Sequence, residues 1–474
     1  MGTDARCRLA TCLAMLSLCI LMSACTVGPN YAKPAVDVPA SWELSEQEAK
    51  AFIDPRWWEG FGDPELNRLV LAALNENRDL KVAVAAVEEF RALLGVAQSD
   101  YYPQLNASAS ASRSKAAQSG NPPYPPNPYS TQYLASLNLS YELDLWGRIR
   151  RAEEAARADL LSREEAKRGV MLSVVSQVAT AYLQLLDLDK RLDIARSTLI
   201  SREEAYKLAK IRFKGGLTSE LDVYQSAVEL ASAQTLIPQL EQQIQQTEHL
   251  ISVLIGHNPA RIKRGKGFDD LAAPTLPSLL PSELLKRRPD ILQAEQALIA
   301  ANARIGQAIA GYYPQISLTA MLGESSGELV FNWPTTLINA GVSATAPLFT
   351  GWRTQRQVEA TEAREQQARF QYEQTVMTAF REVYDALVAQ RMIAEQVAIQ
   401  TRQIAALQDT LRIARLRYLN GYTSYIDVLD AQRNLLNAEL SIVQTRSGGY
   451  QTIVELYRAL GGGWGVGNSG GTEK

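Results

Sequence analysis

Beyond position 25 the chain has no cysteine: Cys7, Cys12, Cys19 and Cys25 are the full complement. The rest of the 474 residues therefore form no internal disulfide and no cysteine-ligated metal site. Histidine is nearly absent as well. His249 and His257 stand eight apart with no local acidic or cysteine cluster, a poor basis for a metal site. Excess charge is missing too: 48 Lys and Arg against 51 Asp and Glu leave a net charge of -3, so no basic field draws nucleic acid. After Cys25 no apolar run approaches the ~18 residues a transmembrane helix needs, so any membrane crossing must use β-strands. Proline is absent from 148–212, where Gly169 is the one glycine, and 353–418 has neither.

The amino terminus carries a basic start, Arg6 and Arg8, then an apolar stretch from Leu9 to Met22. That pattern is a secretory signal. It ends Leu21-Met22-Ser23-Ala24-Cys25, which resembles the bacterial lipoprotein cleavage box, with Met22 departing from the preferred leucine. Acyl chains on Cys25 would give a stable anchor at about 0.8 kcal/mol per buried methylene. Thr26 is not the aspartate that retains lipoproteins at the inner membrane, so the outer membrane is the expected destination.

The chain is written twice. Asp100-Tyr101-Tyr102-Pro103-Gln104-Leu105 returns as Gly311-Tyr312-Tyr313-Pro314-Gln315-Ile316, an offset of 211. Gly216-Leu217-Thr218-Ser219-Glu220-Leu221-Asp222-Val223 returns as Gly421-Tyr422-Thr423-Ser424-Tyr425-Ile426-Asp427-Val428, an offset of 205. Each copy reads helix, strand, loop, strand, very long helix, tight turn, long helix. Rich in Ala, Leu, Glu, Arg and Lys, residues 148–212 would span about 98 Å as a helix. Lengths of that order imply coiled-coil packing. Glycines at Gly215-Gly216 and Gly421 allow each helix to fold back as a hairpin. Pro238 is expected to interrupt and kink the first return helix.

Strand signals recur as well. Leu137, Leu139, Tyr141, Leu143 and Leu145 alternate with polar residues, as do Ile338, Ala340, Val342, Ala344, Ala346 and Leu348. Their partners lie near 105–114 and 316–322. The segment 121–128, rich in proline, reads as an exposed loop. Four strands of about ten residues suit a tilted barrel wall but cannot close, and open edges in hydrocarbon cost several kcal/mol per group. The chain must borrow strands from other copies. Eight strands fill their own interior, whereas twelve leave a lumen, so a trimer is the smallest conducting assembly.

Taken together, several segments resemble the TolC-like outer-membrane factors, in the lipoprotein branch that serves resistance-nodulation-division efflux pumps. They are Cys25-Thr26-Val27-Gly28-Pro29-Asn30-Tyr31; Trp57-Trp58 with Phe61 and Asp63-Pro64; Asn77 with Asp79-Leu80; Leu254-Ile255-Gly256-His257-Asn258-Pro259; Arg287-Arg288-Pro289-Asp290-Ile291; and Tyr418 through Asp430-Ala431. The resemblance covers essentially the whole mature chain. It implies a mixed α and β membrane protein: duplicated helical hairpins forming a periplasmic α-barrel, and four transmembrane strands per chain completed as a twelve-strand β-barrel in a homotrimer. It also implies a periplasmic membrane-fusion adaptor, an inner-membrane pump, a lipid bilayer around the barrel, and passive export of drugs or other small solutes. Asp427 and Asp430 match aspartates lining the closed periplasmic entrance, and Tyr418 and Asp222 match positions that hydrogen-bond between helical hairpins. Thr423 stands where some members carry arginine. Cys25 is expected to carry N-palmitoyl and S-diacylglycerol groups, with no other cofactor.

On this reading residues 1–24 are signal peptide and 25–63 an anchor and equatorial segment. The first repeat is 64–256, with a β-hairpin at 105–145 and a helical hairpin at 148–256. A linker follows at 257–280. The second repeat is 281–461, with hairpins at 315–349 and 352–461, and 462–474 is a glycine-rich tail. Gly323-Glu324-Ser325-Ser326-Gly327 fits the nucleophile-elbow string but enters a hairpin loop with no helix after it, so no catalysis is expected. The competing reading is a lipid-anchored, periplasm-spanning structural coiled coil without transport, which requires helices and no barrel strands.

Overall fold

The computed structural model describes residues 26–36, 38–39, 56–117, 120, 125, 127–274, 281–328 and 336–462. The signal segment, the lipid acceptor Cys25, most of the proline-rich loop and the glycine-rich tail lie outside the described residues.

A 3-10 turn, Trp57–Phe61, precedes α1 (Pro64–Glu76) and α2 (Arg78–Ser99). Strands β1 (Gln104–Lys115) and β2 (Tyr129–Leu143) follow, then α3 (Arg148–Lys214) and α4 (Glu220–Leu254). The second copy runs α5 (Pro281–Arg287), α6 (Pro289–Ala310), β3 (Gln315–Ser326), β4 (Thr336–Thr345), α7 (Arg353–Leu419) and α8 (Tyr425–Ala459). The offsets of the sequence repeat reappear as element boundaries. Adding 211 carries α2 onto α6 and β1 onto β3, and adding 205 carries α3 onto α7 and α4 onto α8, residue for residue.

Two of these elements depart from the sequence reading. Pro238 does not interrupt α4, which is one helix from Glu220 to Leu254. Its missing N–H removes one donor for the carbonyl of Gln234, and both residues are exposed, so that carbonyl is open to solvent. A stretch of α3 does reach the length and apolarity of a membrane span, because Ser173, Ser176, Gln177 and Thr180 interrupt the apolar residues without adding charge. Most of it is buried inside the protein, and Val178, Tyr182 and Leu183 are fully so, which makes it core.

The chain divides into two compact units, each drawing on both copies. The first contains one antiparallel sheet in the order β1-β2-β3-β4, the two hairpins joined through β2 and β3. The second contains the hairpin tips and a buried core that includes Phe61, Leu66, Leu69, Tyr182 and Ile251. There the two copies meet the same structural need with different residues. Asn77 Nδ2 donates to the terminal carbonyl of Leu254 at 2.8 Å, while Arg288, its counterpart, donates from Nη1 to that of Ala459 at 2.8 Å. Gly256 (φ 77°) and Gly461 (φ 88°) then turn away against the backbones of Glu76 and Arg287.

Candidate channel wall and tip gate

Register sorts the sheet into two chemically distinct faces. Leu137 sits between Ala107 and Leu322, Leu139 between Leu105 and Ala320, and Tyr141 beside Leu318, whose other neighbour is Val342. On the opposite face Ser136 lies beside Ser108, Ser140 between Gln104 and Thr319, and Ser317 beside Ser343. Ser108 and Ser136 hydroxyls are 2.9 Å apart, and Asn138 Nδ2 donates to both, at 3.0 and 3.1 Å. Glu142 is the one charged residue on this polar face among the described strand residues, and Arg148 neutralises it through two 2.8 Å hydrogen bonds. Over the rows nearest the helices one side is apolar, with Arg113, Lys115 and Glu324 falling on it only toward the loop end, and the other is hydroxyl-rich. That is the pattern of a barrel wall between lipid and an aqueous lumen.

Where the strands meet the helices, Trp146 stacks on Tyr313 at 4.7 Å and donates from Nε1 to the carbonyl of Pro314 at 2.8 Å. Aromatic rings at this level suit a membrane–water boundary. The chain start is held at the same corner. Val27 N–H donates to Trp146 O at 3.1 Å, and the buried Arg151 donates to Asn30 Oδ1 at 2.8 Å. Gly28 lies so close to Gly306 that a Cβ there would come within 2.4 Å of its Cα. Thr26, the residue next to Cys25, rests against Gly147.

The hairpin tips are built alike. In the first, Gly216 takes φ 70° and Leu217 N–H reaches back to Arg212 O at 2.9 Å; in the second, Gly421 takes φ 77° and Tyr422 N–H reaches Arg417 O at 2.9 Å. A 6→1 bond around a left-handed residue closes the orphan carbonyls of each long helix. Ser219 and Ser424 occupy the N-cap positions of the return helices without a side-chain bond to the helix backbone, and Asp222 and Asp427 lie in the first turns, favourable for a carboxylate.

Side chains break this equivalence. Tyr418, near the end of α7, donates from Oη to Asp222 Oδ2 at 3.1 Å, so one hairpin grips the other within a single chain. Ser219 Oγ donates to the other oxygen of Asp222 at 3.2 Å. Tyr418 packs on Tyr425 (5.1 Å between rings), Val428 and Leu429, and the Arg212 guanidinium lies 5.2 Å over its ring. Burial, reinforced by Asp222, pushes the Tyr418 hydroxyl up to about 12. The counterpart of Tyr418 in the first copy is Phe213, which has no hydroxyl to offer. Asp427 accepts from Thr423 Oγ1, and Asp430, exposed one turn on, lies 3.8 Å from Arg433 Nη1. The structure thus brings Tyr418 and Asp222 together and leaves Asp427 and Asp430 on an open face of α8.

Sequence reasoning missed the network behind Asp430. Arg433 Nε donates to the buried Glu229 Oε1 of α4 at 2.6 Å; Arg202 of α3 holds the other oxygen at 3.3 Å and also donates to Gln432 Oε1. Three helices meet on one buried carboxylate. Removing one partner from such a cluster leaves an uncompensated charge, at a cost of about 3–5 kcal/mol. No spacing signals it, since Arg202, Glu229 and Arg433 belong to separate helices.

A two-faced sheet with both edges unpaired and long helical hairpins ending in an acidic tip define an outer-membrane channel of the export type. The chain belongs to the outer membrane efflux protein family, whose model matches residues 69–257 and 280–462. It is 34% identical to the probable outer membrane lipoprotein SilC of Salmonella typhimurium over 95% of this chain and 98% of that protein. It is 33% identical to the toluene efflux pump outer membrane protein TtgI of Pseudomonas putida, over 96% of this chain and 98% of that one. The solved outer-membrane channel OprN superimposes with a TM-score of 0.84 at 31% identity, covering 92% of this chain and 99% of that chain. The protein is an outer-membrane efflux channel extending into the periplasm, which sets aside the reading as a structural tether.

Proposed function

We propose that three copies assemble into a twelve-strand barrel and that the trimer is the outer-membrane duct of a tripartite system, joined through a periplasmic adaptor to an inner-membrane resistance-nodulation-division pump. The carrying observation is the sheet: it has an apolar face, a hydroxyl-rich face and edge strands β1 and β4 with one neighbour each. In hydrocarbon such edges cannot stay open. The chain works as a passive duct and not as an enzyme. One relative is named for toluene, and the cation efflux protein CusC of Escherichia coli matches equally, at 33%. Similarity in the duct therefore does not track cargo, and the pump sets the substrate class. Purified full-length protein should have the mass of a trimer in detergent and form conducting channels in planar bilayers. A monomer that leaves bilayers sealed overturns the proposal.

The tip is the gate in this reading. Three chains place Asp427 and Asp430 as rings of carboxylates around one axis, which attract cations and are open to bridging by divalent ions. Tyr418 and Asp222 latch the two hairpins of each chain. Between chains the corresponding pair is Phe213 and Asp427, which cannot form that bond, so the weaker seams lie between protomers. Cys25 carries the N-palmitoyl and S-diacylglycerol anchor and no other cofactor is required. In support of this reading, Val27 and Gly28, two and three positions after Cys25 in the chain, are seated beside the Trp146–Tyr313 stack.

A further inference from the structure

The internal repeat fixes how the barrel closes. Resting on the trimer reading above, we infer that β4 of one copy pairs antiparallel with β1 of the next in the register that sets Ser343 opposite Ser110. Within the chain the two hairpins share one register. Gln104 faces Ser140, and adding 211 and 205 gives Gln315 facing Thr345, which is the pairing found. The contact from first copy to second is β2 on β3, with Asn138 opposite Met321, Leu137 opposite Leu322 and Leu143 opposite Ile316. The missing contact runs from second copy to first. Advancing each β2 residue by 205 and moving each β3 residue back by 211 turns these pairs into Ser343–Ser110, Val342–Ala111 and Leu348–Leu105.

The edge chemistry agrees with this register. Val342 and Leu105, 71% and 65% exposed in the single chain, fall on the apolar face and Ser343 and Ser110 on the polar one, while Leu348, three residues past the end of β4, is 97% exposed. A slip of one residue would turn every side chain of β4 to the wrong face. β4 stops at Thr345 in the single chain, two residues before Pro347, whereas β2 runs on to Leu143 through its pairing with β3, and the mapped register sets Leu348 beside Leu105 of the next copy. At the same corner Tyr102, counterpart of the stacked Tyr313, is 70% exposed, and Trp352, next to the counterpart of Trp146, is 66% exposed. Closure brings these two rings to one boundary.

Slips of two residues preserve the faces, so they are what an experiment must exclude. The chain has no cysteine beyond Cys25, which makes an introduced pair readable. Full-length S110C/S343C protein in native membranes, oxidised with copper–phenanthroline to form direct disulfides, should give bands at two and three times the protomer mass that reduction collapses. Their yield should exceed that of S108C/S343C and S112C/S343C by roughly tenfold, given how narrowly cysteine bridging tolerates Cβ separation. The single variants S110C and S343C should give none of these bands. A trimer by mass that links best through a shifted pair overturns the register and leaves the trimer standing. A protein monomeric by mass that links through no pair overturns both.

Discussion

The two copies share a backbone and differ in what they hold. Their long helices are both 67 residues and their return helices both 35, with tip turns closed by the same 6→1 bond. At matched positions the first copy has Phe213, Asp222, Gln225 and Val228, and the second has Tyr418, Asp427, Asp430 and Arg433. Length, glycine placement and capping serine build a tube and are preserved. Hydroxyl, carboxylate and guanidinium decide which neighbours grip, and these diverge. A trimer of such near-repeats, assembled as proposed, would have six similar staves and alternating seams.

The largest expected difference between the copies lies at the glycines that end them. A Cβ on Gly256 would sit 2.4 Å from the carbonyl oxygen of Glu76, whereas one on Gly461 finds Arg287 O at 3.1 Å. Both have positive φ and both face backbone, so alanine strains each, but only at the first would the Cβ come closer than 3 Å, where the backbone itself must shift. Gly256→Ala should destabilise by about 3 kcal/mol or more and Gly461→Ala by about 1–2 kcal/mol. Thermal unfolding of the two purified variants checks this, and equal losses would mean the tight approach in the first copy relaxes freely.

Next comes the acidic tip. Asp427→Ala with Asp430→Ala removes both tip carboxylates from the second copy and leaves Asp222 in place in the first. Block of single-channel current by divalent cations should weaken on the order of tenfold, as for loss of a charged ring at a pore entrance. Unchanged conductance and unchanged block in planar bilayers would remove these residues from the gate. A smaller effect follows from exchanging the aromatic pair. Tyr418→Phe deletes a hydrogen bond to a carboxylate worth about 1.5 kcal/mol, roughly tenfold in the closed-to-open ratio. Phe213→Tyr, in the opposite sense, offers Asp427 of a neighbour the hydroxyl it lacks and should lower the open fraction. If both substitutions leave opening unaltered, the seams are held by something other than these tips.

Much of this was legible from the sequence, for reasons that can be named. Offsets of 211 and 205 became element boundaries because segments repeated in sequence fold to the same lengths, even where α4 has Pro238 and α8 has Val443 in its place. The apolar alternation of Leu137, Leu139 and Tyr141 became one face of the sheet because a strand repeats every two residues. The junction of β2 with β3 was not legible, since residue spacing within one hairpin says nothing about which hairpin lies beside it. Nor was the site readable from residues alone. Asp427 and Asp430 look like any solvated helix face, and Tyr418 came to notice through family resemblance. Glu229 with Arg202 and Arg433 escaped both, being three charged residues on helices otherwise dotted with charge. The seat of the chain start escaped too, because Gly28 and Gly306 are meaningful only once they touch.

The pH dependence of the proposed latch separates the two copies most cleanly, because Phe213 offers nothing to titrate where Tyr418 has a hydroxyl. The Tyr418 hydroxyl must be protonated to donate to Asp222, and once ionised it repels that carboxylate. Its folded value is raised to about 12 from the usual 10, so the contact stabilises closure fully below about pH 10 and loses that contribution as pH climbs toward 12. Between pH 6 and 9 the wild-type open fraction should therefore be flat with respect to this group. From pH 10 upward it should rise, and in Tyr418→Phe that rise should vanish, since phenylalanine has nothing to ionise. A rise of the same size in the variant would assign the alkaline opening to other groups, leaving Tyr418 a packing residue against Tyr425 and Leu429.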